Sequence, residues 1–174
     1  NTIFKKNNKV IGHNTDIGGF EHSLKHINYN VKNKKIFILG AGGVVPSIIL
    51  ALKRSGAYKI SLSNRTKMKA EDLKTIHGDL EIIDWGKNTD FDMIINATSL
   101  GLKKDEQIKL DFNKTGPDKL FYDVIYNSNK TNFLLKGEEL GNRIENGKMM
   151  FIYQAQLAFK IWHNILPKIN DKLL

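Results

Sequence analysis

Cysteine is absent from the 174 residues of this chain. That removes disulfides and thiolate metal sites, and it makes a reducing cytoplasm the expected compartment. No apolar run approaches the roughly 20 residues of a membrane span, and no charged start followed by a short apolar stretch marks a secretory leader. A soluble protein without a membrane partner is expected. Arginine is scarce, with only Arg54, Arg65 and Arg143 among 27 basic residues. A net charge of +9 would suit a phosphate backbone, but the remaining cations are lysines scattered among asparagines and isoleucines rather than gathered in a stripe. Nucleic acid is therefore not an expected partner, and the charge implies only a weak attraction for anionic ligands. Internal repeats and low-complexity segments are missing as well. The length suits one domain, or one domain with a piece of another.

The most informative stretch is Lys35-Ile36-Phe37-Ile38-Leu39-Gly40-Ala41-Gly42-Gly43-Val44-Val45, where an apolar strand breaks into glycines and then into a helical pattern. Such a turn lets backbone N–H groups and the positive end of a helix meet a pyrophosphate. Gly40 and Gly42 match the first two glycines of G-x-G-x-x-G/A, but the third small position is Val45, whose bulk is expected to loosen the packing of helix on strand. A plain strand-to-helix turn is the competing reading. A second absence follows the next strand, Lys59-Ile60-Ser61-Leu62-Ser63. No acid stands where a ribose-reading carboxylate is expected, and Asn64-Arg65-Thr66-Lys67-Met68-Lys69 occupies the place. Arg65 and Lys69 suit a 2′-phosphate, the guanidinium by bidentate contact, so the expected cofactor is NADP(H). Alternatively both are solvated charges at a helix start.

Residues 2 to 13 read as a strand pair around the turn Lys6-Asn7-Asn8-Lys9. A helix starts near Thr15-Asp16, with Ile17, Phe20, Leu24 and Ile27 on one face. Strands at 36 to 39, 58 to 63, 80 to 84, 92 to 97 and 119 to 125 then alternate with helices at 43 to 55, 67 to 77 and 131 to 140. This order predicts an α/β fold with a doubly wound parallel sheet, its ligands at the carboxyl ends of the strands, where Gly40, Asn64, Thr98 and Tyr126 fall. The tail, 149 to 166, is apolar on most sides, as a helix buried between layers would be. One sheet face cannot cover it, so a partner domain or subunit is expected, a homodimer being one form.

The ordered segments Asn64-Arg65-Thr66, Asn96-Ala97-Thr98-Ser99-Leu100-Gly101, Tyr122-Asp123-Val124-Ile125-Tyr126 and Asn146-Gly147 to Gln154, taken with the glycine loop, closely resemble shikimate dehydrogenase. Asn1-Thr2-Ile3 and Gly12-His13-Asn14-Thr15-Asp16 resemble the family's Asn-Thr and Asn-Thr-Asp segments, and the match runs from Asn1 to Pro167. The resemblance implies reduction of 3-dehydroshikimate to shikimate with NADPH, in the pathway to aromatic amino acids. It implies that Gly40, Ala41, Gly42, Gly43 and Val44 hold the pyrophosphate in a Rossmann-like NADP-binding domain. Asn64, Arg65, Thr66 and Lys69 would read the 2′-phosphate, Thr98 would join the cofactor site, and Val124 and Gly147 would contact the nicotinamide end. Asn1, Asp16, Tyr126 and Gln154 would meet the substrate, Asp16 as the catalytic carboxylate.

Taken singly, these residues have plainer readings. Asp16 suits the first turn of a helix, Tyr126 could be a core tyrosine, and Asn1 would fray as the first residue. Gln154 stands apart, since an unpaired amide inside an apolar helix is costly. His22 and His26 have metal-ligand spacing, but Ser23 breaks the H-E-x-x-H pattern, and no metal site is expected. The resemblance also implies that the family's catalytic lysine and carboxylate-gripping serines lie upstream of Asn1. Residues 1 to 15 would then be a remnant of a mostly absent substrate domain, 16 to 147 the NADP-binding domain, and 148 to 174 a C-terminal helix returning to the substrate domain. The chain would form an incomplete enzyme, inactive alone. Two alternatives stay open: a stand-alone NADPH-binding remnant without catalysis, and quinate in place of shikimate as substrate.

Overall fold

The computed structural model describes residues 1–103, 105–113 and 115–170. It opens with a hairpin of β1 (Thr2–Lys6) and β2 (Lys9–His13), in which Lys6 faces Lys9. Asn7 and Asn8 both have positive φ, 49° and 60°. Asparagine tolerates that region, and two such residues in succession match the right-handed twist of the flanking strands.

After α1 (Asp16–His26) come β3 (Lys35–Leu39), α2 (Val45–Arg54), β4 (Lys59–Ser63), α3 (Lys67–His77), β5 (Leu80–Ile82), β6 (Met93–Asn96), β7 (Leu120–Asp123), α4 (Asn132–Glu139), β8 (Arg143–Glu145) and α5 (Lys148–His163). The sheet order is β5-β4-β3-β6-β7-β8, every pair parallel. Strand order reverses between β3 and β6, and the crevice above that point is where such sheets bind ligands. The alternating pattern of the sequence thus gives the doubly wound sheet it implies. The strand β8 lies outside that pattern: three residues with one apolar side chain carry no periodic signal, and β8 is an edge that only pairing with β7 defines.

Alternation along β3 divides the core into two layers. Ile36 and Ile38 join Ile48, Leu52, Ile60 and Leu62 beneath α1, α2 and α3, whereas Phe37 and Leu39 join Ile94, Phe121, Phe133 and Leu134 on the α4 face. Both faces are covered, which is why the strands read as continuous apolar runs. The expectation that Val45 loosens the packing is overturned. Val45 is the first residue of α2 and fully buried in the first layer, so its bulk fills space there. Pro46 sits in the first turn of α2, where its missing N–H costs nothing.

The first helix is docked at both ends of its buried face. Ser23 shares a 2.9 Å hydrogen bond with the buried Tyr122 hydroxyl on β7, and burial pushes that phenol's pKa up. Towards the N-terminus, α1 runs against α5 on glycines. A methyl on Gly19 would stand 2.8 Å from Gln154 Cβ and 2.9 Å from the Met150 carbonyl oxygen, and one on Gly18 2.6 Å from Leu157 Cδ1. The last helix buries Met149, Met150 and Ala158 but leaves Phe151, Phe159 and Trp162 exposed. Trp162 ties the helix to the hairpin by donating its indole N–H to the Ile3 carbonyl at 3.0 Å.

Because the atoms facing Gly19 are largely backbone, they cannot swing aside. Gly19→Ala should therefore lower stability by about 1–3 kcal/mol, the range for overpacking a tight contact, despite alanine's better helix propensity. A urea unfolding midpoint equal to or above the parent's would contradict this.

Candidate functional site

At the carboxyl end of β3 the chain turns through Gly40, whose φ is 111°. A side chain there would run into the Ala97 carbonyl oxygen at 2.6 Å, so glycine is required both for conformation and for space. Gly42 and Gly43 face open space: a methyl on Gly42 would stand 3.9 Å from the Ala97 carbonyl oxygen, and one on Gly43 would meet nothing within 4 Å. Among the described residues, no side chain caps α2 and no acid lies in its first turn. The Val45 N–H bonds the Gly42 carbonyl, those of Ser47 and Ile48 the Val44 carbonyl, and Pro46 has none, so α2 offers its positive dipole end beside the glycines, a setting that suits an anion.

The loop after β4 is tied to this turn. Asn64 accepts from the Ala41 N–H at 3.1 Å and donates to the Thr66 carbonyl at 2.8 Å, fixing the stretch that carries Arg65 and Lys69. Lys67 pairs with Asp84 at 2.8 Å, but no ion pair holds Arg65 or Lys69 among the described residues. Together Gly40, Ala41, Gly42, Asn64, Arg65, Thr66, Lys69 and Thr98 line one cleft of about 250 Å³, with no acidic residue in its walls. Trp85, Ala97, Ser99 and Leu100 complete it. Trp85 is not marked in the sequence, where its only signal is a lone tryptophan between Asp84 and Gly86 in a polar loop. The cation pair, glycine floor and uncapped helix fit a phosphorylated dinucleotide.

The cleft's third wall is held from below. Asn96 accepts from the Thr98 N–H at 3.0 Å and hydroxyl at 2.7 Å, and its amide donates to the Leu100 carbonyl and to both Asp123 oxygens. Asp123 also accepts from the Ile125 N–H at 3.0 Å and the Thr131 hydroxyl at 2.6 Å. Asn96 and Asp123 are wholly buried. This network sits inside motifs recognisable in the sequence, but pairing across β6 and β7 had to be seen in space. Val124 and Gly147 meet at its far end: Gly147 donates to the Ile125 carbonyl at 3.0 Å, and any side chain on it would strike Val124. Gly43 and Val44 lead into α2, while Val124 and Gly147 stand at the end of β7, outside the residues lining the cleft.

A second cluster forms where the hairpin, α1 and α5 converge. The Asn1 amide donates to Asp16 Oδ1 at 2.6 Å, Thr15 Oγ1 at 3.0 Å and Gln154 Oε1 at 3.5 Å, and its carbonyl accepts from the Thr15 N–H at 2.9 Å. Asn1 is anchored, so the expectation of a frayed end fails. Asp16 takes the Asn1 amide where a cap would take backbone N–H groups. Gln154 finds partners in Asn1 and Thr15, which answers the cost of placing it in α5. Tyr126 is half exposed and stacks on Phe151, centroids 4.4 Å apart, which rules out a core tyrosine and puts it one helical turn from Gln154. Asn14 links this cluster to the first by donating to Ser47 on α2 at 2.9 Å. His22 and His26 lie against Tyr153, whose hydroxyl is 3.2 Å from His26 Nδ1, and no metal-ligand cluster occurs among the described residues.

Known proteins share both the sequence and the fold. A family model described as shikimate / quinate 5-dehydrogenase matches residues 22–104. The shikimate dehydrogenase (NADP(+)) of Pelagibacter ubique is 57% identical over 174 residues, all of this chain and 66% of that protein. The crystal structure of shikimate dehydrogenase from Aquifex aeolicus superposes with a TM-score of 0.85 at 36% identity, covering 97% of this chain and 62% of that one. The enzyme from Thermus thermophilus, solved in complex with NADP(H) and shikimate, gives 0.85 at 28% identity over 95% of this chain and 62% of its own. The chain thus spans about two thirds of the length of these relatives.

Burial pushes the Asp123 carboxyl above the ordinary carboxylate range, more than its donors from Thr131, Ile125 and Asn96 pull it down. The fold therefore binds that proton more tightly than the unfolded chain does. Stability from this group should fall as pH rises from the ordinary carboxylate range through the raised value, and stay level above it. Asp123→Asn cannot titrate, and its urea midpoints from about pH 4 upwards should lack that descent. An identical descent in parent and variant would exclude Asp123 as its source.

Proposed function

We propose that this chain, which belongs to the shikimate dehydrogenase family, binds NADP(H) in the cleft between β3 and β6 and contributes one side of a substrate site for reversible reduction of 3-dehydroshikimate to shikimate. The observation that carries the reading is the cleft itself, in which a glycine turn, an uncapped helix and two cations converge, the cations having no ion-pair partner and the cleft no carboxylate among the described residues. Arg65 and Lys69 meet the 2′-phosphate, and Asn64 holds their loop against the glycine turn. The pyrophosphate lies on the turn from Gly40 to Val44, met by the N–H groups of Gly42, Gly43 and Val44. The nicotinamide end reaches Val124 and Gly147. NADPH supplies the hydride, and the protein's part is to place the acceptor carbon against it.

Asn1, Asp16, Gln154 and Tyr126 face the substrate in this reading. A ring bearing several hydroxyls needs several orienting hydrogen bonds, and the Asp16 carboxylate, held by the Asn1 amide, positions the group that exchanges a proton with the substrate oxygen. We divide the chain accordingly: residues 16 to 147 carry the cofactor, while residues 1 to 15 and the helix from 148 onward belong with the substrate side. Quinate is a second reading, favoured by the matched family model, which covers both dehydrogenases. Calorimetric titrations of the NADP⁺-loaded chain with shikimate and with quinate separate the two by which one binds more tightly.

Arg65→Ala should weaken NADPH binding by about 1.5–3 kcal/mol, the range for hydrogen bonds to a charged group, and leave NADH binding nearly unchanged. Fluorescence titration of the 174-residue chain with each cofactor measures both. Equal losses for the two would remove the 2′-phosphate from the site.

A further inference from the structure

We propose that Trp85 is the stacking platform for the adenine ring of the bound dinucleotide, an inference that rests on the cofactor reading above. Among the described residues, Trp85 is the one aromatic side chain lining the cleft, which it shares with Arg65, Thr66 and Lys69. It is partly buried, and within the described residues no other ring stacks on it, no cation lies over it and its indole N–H has no hydrogen-bond acceptor. Trp85 thus contributes aromatic surface to the cleft wall.

The ring's mounting is fixed. Asp84 to Lys87 form a turn closed by the Lys87 N–H on the Asp84 carbonyl at 3.0 Å, with Gly86 at φ 85° supplying the left-handed corner. The same Asp84 is paired at 2.8 Å with Lys67, the first residue of α3. The turn that carries Trp85 therefore lies beside the segment that carries Arg65 and Lys69, with the Lys67–Asp84 pair between them. In an adenosine 2′-phosphate, base and phosphate hang from the same ribose, so a phosphate held by those cations puts the base beside them. The platform found there is an indole, and purines stack on aromatic faces whatever their edge chemistry.

The two residues should separate by ligand. Trp85→Leu keeps apolar bulk but removes the ring, so it should weaken NADPH and NADH by the same factor, about tenfold, within the range of one base–aromatic stack. Trp85→Phe keeps a ring and should stay within about threefold of the parent. Arg65→Ala should weaken NADPH alone. Dissociation constants come from calorimetric titration of the 174-residue chain and its variants, with circular dichroism to match their folds. If Arg65→Ala weakens NADPH selectively while Trp85→Leu binds both cofactors like the parent, the adenine assignment to Trp85 is overturned and the cofactor reading stands. If Arg65→Ala changes neither, the cofactor reading fails and this inference with it.

Discussion

The approach of α1 to α5 across Gly18 and Gly19 is the constraint on which most of the arrangement depends. Without side chains at these positions the two helix backbones come close enough that Gln154 and Met150 lie directly over Gly19. That places Gln154 within reach of Thr15 and Asn1 at the start of α1, and so gathers the cluster around Asp16. A side chain at Gly19 would push the helices apart and dissolve those hydrogen bonds together. Since Ser23 and Tyr122 fasten α1 to the sheet, the same contact also sets where α5 stands relative to β7.

A buried polar network plays the corresponding part at the cleft. Asn96 and Asp123 are expensive to bury, and the interior tolerates them because donors and acceptors are matched around both. What the network gains is shape: it holds the backbone from Thr98 to Leu100 and the turn after β7 in fixed relation across two strands. Both segments border the crevice at the switch in strand order. Oxygen-rich residues at strand ends are thus supports under the walls of that crevice.

Charge is distributed with similar economy. The chain is strongly basic, and some of its lysines are engaged near carboxylates, as Lys35, Lys59, Lys67 and Lys130 are. Such exposed pairs contribute little to stability. Their effect near the cleft is local: Asp84 takes up Lys67 and leaves Arg65 and Lys69 facing the cavity. Among the described residues, Arg65 and Lys69 are in no ion pair.

Much of this is legible in the sequence. The βα alternation, the glycine turn and the cation pair after β4 are local signals, because strand periodicity, positive φ and side-chain type act over a few residues; helix α3 has the bounds its sequence pattern predicts. Val45 defeats the motif because a motif describes the usual packing, whereas the space actually available is set by residues of other elements. β8 and the place of Trp85 in the cleft carry no local signal at all. The sequence by itself determined the fold class and the family. Only the tertiary structure decided that Asn1, Asp16 and Gln154 form one cluster, that Asp123 supports Thr98 through Asn96, and that Trp85 shares a cleft with Arg65. Those relations join residues as far apart as 1 and 154, and such distances are fixed by packing, not by neighbouring residues along the chain.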